Sequence, residues 1–148
     1  MDHEPRLWPH DEAIRSVGER FLACTLPKPD WTHEAHIGTT SWLILERPDI
    51  FPERALPDLI RRYNESVGGV NSDTEGYHET ITQVFIRTLR RALAERDREA
   101  LHARVNAILL APEGRRDWPL RFYSPERLFS VEARRGWVEP DLAALPST

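Results

Sequence analysis

Residues 76–95 read GYHETITQVFIRTLRRALAE, and the spacing within them decides the fold. Ile81, Val84, Phe85, Thr88, Leu89, Ala92 and Leu93 recur three and four positions apart, the period of a helix with one buried face. A stripe this long predicts a central, buried helix. Ser72 with Glu75 matches a capping box just ahead of it, and Thr74 is a competing cap.

The same period recurs on either side. Upstream, Ile14, Val17, Phe21 and Leu22 mark a helix that must stop before Pro27-Lys28-Pro29. Thr32 then reads as an N-cap with Trp31 as its hydrophobic staple. The helix after it carries Ile37, Leu43, Ile44 and Leu45 and stops near Pro48. Its small, polar middle, Gly38-Thr39-Thr40-Ser41, would let another helix or a ligand approach closely. Ala55, Leu56, Leu59, Ile60 and Tyr63 form a further helix that ends at Gly68-Gly69, with Pro52 or Pro57 tolerated only in its first turn. Downstream, Asp97 is a candidate cap for a helix bearing Leu101, Val105, Ile108 and Leu109. No strand-like alternation and no internal repeat interrupts the series. The expectation is an all-α, single-domain bundle of about five helices spanning residues 1–148.

Beyond Pro112 the composition changes. Trp118, Phe122, Tyr123, Phe129 and Trp137 alternate with Arg115, Arg116, Arg121, Arg127, Arg134 and Arg135. So many aromatics argue against a disordered tail. Ser124-Pro125 and Ser130 predict two short helices. The segment is expected to wrap the core, its arginines pointing outward or over a pocket rim, with only residues 145–148 frayed.

Composition narrows the function classes. The chain has 148 residues, 40% hydrophobic and 30% charged, with a formal net charge of −4. That balance carries no electrostatic footprint for nucleic acid. No apolar run approaches the roughly 20 residues that cross a bilayer, and the first residues lack a signal-peptide pattern. A single cysteine, Cys24, fits a reducing cytoplasm. A homo-oligomer stays open.

Two segments concentrate the chemistry: Asp30-Trp31-Thr32-His33-Glu34-Ala35-His36 and Gly76-Tyr77-His78-Glu79-Thr80-Ile81-Thr82. Each reads as the first turn of a helix, where the positive end of the dipole disfavours imidazolium and keeps histidine neutral. His33 and His36, three apart, share a helix face. His78 falls on or beside the buried stripe. If the two helix starts face each other, His33, His36 and His78 converge as three nitrogen ligands for a divalent metal such as zinc, with an open fourth position. Glu34 or Glu79 would then serve as fourth ligand or general base. Tyr63, Asn64, Tyr77 and Thr82 are candidates to line the same pocket and bind the ligand.

Trp31-Thr32-His33-Glu34-Ala35-His36, Gly76-Tyr77-His78-Glu79-Thr80-Ile81-Thr82 and the ending Trp137-Val138-Glu139-Pro140-Asp141-Leu142 together resemble the signatures of a family of small bacterial helical proteins with no assigned activity. The resemblance runs from Trp31 onward and implies no reaction. Three readings follow from the residues themselves. The first is a metal-dependent, hydrolytic enzyme acting on a small molecule. The second is a non-catalytic binding module for a small anionic or polar metabolite, held by neutral histidines, threonine hydroxyls and helix N-terminal amides. In the third, the polar segments are internal networks of a structural protein.

Overall fold

The computed structural model describes residues 4–147; residues 1–3, where a signal pattern was not expected, and Thr148, the last of the positions expected to fray, lie outside the described residues. Within them the chain is helical and without strands. Five longer helices come first: α1 (Asp11–Leu22), α2 (His33–Glu46), α3 (Pro52–Ser66), α4 (Glu79–Ala94) and α5 (Leu101–Leu110). Two short ones, α6 (Pro125–Leu128) and α7 (Val131–Arg135), lie in the C-terminal segment.

α2 sits at the centre, packed against α1, α4 and α5. Its middle is buried all round, which is why Gly38, Thr39, Thr40 and Ser41 are small. Ser41 satisfies itself by donating back to the Ile37 carbonyl at 2.7 Å. The close approach expected here is made by the Trp8 ring, which covers Gly38. α4 supplies the opposite wall of the core with Ile86, Leu89, Ala92 and Leu93, all buried.

Pro57 lies inside α3 rather than in its first turn. A proline there cannot donate to the carbonyl of Glu53 one turn back. The Gln83 side chain of α4 donates to that orphaned oxygen instead, at 3.0 Å. The break in one helix thus becomes a tie to its neighbour.

Two expected helix starts are corrected. α4 begins at Glu79, not at 76, and its cap is His78 rather than Ser72 or Thr74. Ser72 Oγ instead accepts the amides of Thr74 and Glu75 within a loop turn. The reason lies at Gly76, whose φ is +84° and where any Cβ would meet the Val70 carbonyl oxygen at 2.3 Å. Only glycine tolerates that conformation, and it keeps the chain out of helix until after Tyr77. α5 begins at Leu101 with no side-chain cap of its own, so Asp97 is not its cap. Asp11 of α1 reaches across and accepts the His102 amide at 2.8 Å.

The C-terminal segment wraps α4 as expected. Phe122, Tyr123 and Leu128 form a second apolar cluster around Val84, joined by Trp118, Trp137, Val138 and Leu145. Leu145 is therefore packed, not frayed. Ser124 and Ser130 cap α6 and α7 through the Arg127 and Ala133 amides.

Candidate functional site

Thr32 Oγ1 accepts the Ala35 amide at 3.1 Å and so caps α2. With threonine in that role, the histidines after it are left for other work. His36 occupies the position that closes a hydrophobic staple with Trp31: the ring centroids lie 3.9 Å apart with the planes tilted by 32°, and Trp31 in turn stacks on Phe21 at 4.3 Å. Burial, then the neighbouring His33 and Arg116 charges, hold the His36 imidazole neutral, its pKa down to about 3. His33 donates from Nε2 to the Gly114 carbonyl at 2.7 Å and meets the Phe85 ring edge-on. An oxygen acceptor on Nε2 places a proton on that nitrogen.

Gly114 ends the turn that follows α5. A Cβ on it would lie 2.0 Å from the Ile108 carbonyl oxygen, so this turn closes only on glycine. The turn directs Arg115, Arg116 and, a little further on, Arg121 toward the start of α2. Between them lies a cleft of about 750 Å³. His33 and Glu34 form its polar floor, Leu109, Leu110 and Leu120 its apolar wall, and the three arginines its rim. Glu34 is buried and its carboxylate accepts the Arg6 amide at 3.1 Å. Asp117, the other acid of the cleft, pairs with Arg115 at 3.3 Å. Arg121 stands over the Trp118 ring. Neither Arg116 nor Arg121 has a carboxylate partner among the described residues.

The second histidine segment is built differently. His78 Nδ1 accepts the Ile81 amide at 3.2 Å, and its Nε2–H donates to the Leu128 carbonyl at 2.7 Å. Both ring nitrogens are thereby used, and the residue is buried. Burial depresses its pKa, reinforced by the nearby Arg134 charge and only partly opposed by the Leu128 bond. His78 is a clamp between α4 and the C-terminal segment. Thr80 extends it, donating to the Gly136 carbonyl and accepting the Val138 amide. Arg134 closes the other side on the Gly76 and Tyr77 carbonyls.

The expected convergence of His33, His36 and His78 is corrected accordingly. His33 is tied to Gly114 and His78 to Leu128, and among the described residues no three His, Cys, Asp or Glu side chains stand together as a set for a metal ion. The physical cause is the shifted start of α4. As the third residue of a helix starting at 76, His78 would not have served the first-turn amides; as the cap it must turn its ring back onto the first turn.

The remaining candidates divide. Tyr63 is fully buried, and its hydroxyl donates to the Leu26 carbonyl at 2.8 Å, a core role. Asn64 donates to Asn71 Oδ1, which also accepts the Tyr77 amide, so the asparagines latch the loop before α4. Thr82 donates back to the His78 carbonyl at 2.8 Å. Tyr77 lies under the Arg61 guanidinium and donates its hydroxyl to Glu79 at 2.5 Å; burial and that bond raise its pKa. Glu79 alone of these faces a cleft, a second one of about 480 Å³ shared with Glu53, Gln83, Arg87, Arg90 and Trp137. Glu34 and Glu79, each a candidate fourth ligand or general base, thus line different clefts.

Arg116 and Arg121 stand among the arginines expected to point outward or over a pocket rim, but the sequence reading did not assign them to the site. The usable signal was Pro112-Glu113-Gly114 at the end of α5, a turn that must bring the next residues back along the bundle. No protein-family model, no curated protein and no solved structure matches the chain.

Proposed function

We propose that the protein binds a small anionic ligand in the cleft between the start of α2 and the turn after α5. The observation that carries this reading is the pair Arg116 and Arg121, two guanidinium groups on one rim without carboxylate partners among the described residues, above a cleft of about 750 Å³. That volume lies in the usual range for small-molecule sites. Guanidinium presents parallel N–H donors that match carboxylate and phosphate oxygens in pairs. Glu34 and Asp117 offset only part of this charge, since two carboxylates face three arginines in the cleft and Asp117 is already paired with Arg115.

This favours the binding-module reading over the metal-dependent hydrolase. The hydrolase required His78 as a ligand, and both nitrogens of His78 are engaged in holding the fold. The test is calorimetric titration with inorganic phosphate and with acetate at low ionic strength, on the full chain and on an Arg116→Ala/Arg121→Ala variant. Saturable binding of one anion, weakened about tenfold or more by losing two charge-assisted contacts, is the expected result. Equal binding by both proteins would sink the reading.

A further inference from the structure

We infer that the anion this cleft takes carries an apolar body: an alkyl or aryl carboxylate or phosphate rather than a bare inorganic ion. The inference rests on the anion-binding reading and adds a claim about the other half of the ligand. The cleft is two-faced. Arg116 and Arg121 occupy its rim, and Leu110, Leu120 and Pro112 add apolar lining to the same cavity. Leu110 is the last residue of α5 and is 65% exposed, more than any other large hydrophobic residue described. A leucine open to water is unremarkable alone. Here it shares one cavity with Leu120 and with two guanidinium groups lacking carboxylate partners, so covering it and neutralising them would be a single event.

A bare phosphate or sulfate would fill only a small part of about 750 Å³ and leave the leucines wet. A ligand with a short chain or ring would place its head group between the arginines and its body on Leu110 and Leu120. Each methylene so buried strengthens binding roughly fourfold when fully removed from water. The shared chemistry is an anionic head on an apolar body; whether the head is carboxylate or phosphate is read by the experiment.

The experiment compares two matched pairs by calorimetry on the full chain: acetate with hexanoate, and inorganic phosphate with hexyl phosphate. The longer member of at least one pair is expected to bind about tenfold tighter or better, the tighter pair naming the head group. In Leu110→Ser, an exposed position where folding is not at risk, that preference should fall to about threefold or less. Equal affinities within both pairs, with binding still lost in Arg116→Ala/Arg121→Ala, would overturn this inference and leave the anion site standing. Binding of no probe, or binding indifferent to the arginines, would overturn both. Unchanged chain preference in Leu110→Ser would place the apolar contact elsewhere and overturn the assignment to this wall.

Discussion

The starts of α2 and α4 are written in nearly the same residues and do opposite work. Each opens a helix with histidine, glutamate and threonine after an aromatic residue. At α2 the threonine is the cap, so His33 and His36 are released, one to the edge of a cleft and one to a ring contact with Trp31. At α4 the histidine is the cap, and its second nitrogen fastens a carbonyl fifty residues away. What separates a histidine at a site from one inside a scaffold is which residue answers the unpaired amides of the first turn. Polar residues at a helix start are therefore not evidence of a site until the cap is known.

The largest test of that contrast removes what the second histidine holds. Cutting the chain after Pro112 would strip Val84 and Ile81 of their apolar cover and leave the Nε2–H of His78 and the hydroxyl of Thr80 without their acceptors. Loss of cooperative thermal unfolding, with aggregation, is expected. A truncated protein with the melting transition of the full chain would mean that the clamp carries no load.

A smaller effect separates the two starts directly. His78→Ala deletes a cap and leaves the buried Leu128 carbonyl unpaired, a cost of about 2–4 kcal/mol in urea unfolding. Thr32→Ala deletes a cap alone, about 1 kcal/mol. If Thr32→Ala proves as damaging as His78→Ala, the two starts are energetically alike and the distinction drawn between them fails.

The smallest effect is in pH. His36 and His78 both have folded-state pKa values below the ordinary 6.5. Below that value the unfolded chain takes up protons that the folded one refuses, so their contribution to stability is present above pH 6.5 and declines as pH falls toward the folded values. His36, held down to about 3, governs the lower part of this window. His36→Phe keeps a ring on Trp31 and removes the titration, so stability measured from pH 6.5 to 4 should fall less steeply than in the parent protein. An identical slope would show that His36 titrates normally.

Local rules sufficed for much of the molecule. The period of three and four exposed the all-α class and the buried stripe of α4, because a helix face that meets a core must repeat with the helix. Thr32, Ser124 and Ser130 were recognisable as caps because a cap bonds within three residues of itself, a distance the sequence spells out. The wrapping of the C-terminal segment followed from aromatics too numerous to leave in water.

Tertiary structure decided what depends on partners far away in the chain. Gly76 moved the start of α4 because its neighbour Val70 left room only for a left-handed glycine, and with that shift His78 passed from candidate ligand to clamp. The cap of α5 came from Asp11, ninety-one residues away, where no local pattern points. Arg116 and Arg121 met the α2 histidine segment because α5 packs against α2 and the turn at Gly114 brings the chain back across it. Periodicity and caps are short-range properties that a sequence displays. Which carbonyl a histidine fastens, and which charges share a cleft, are set by contacts between residues that only packing brings together.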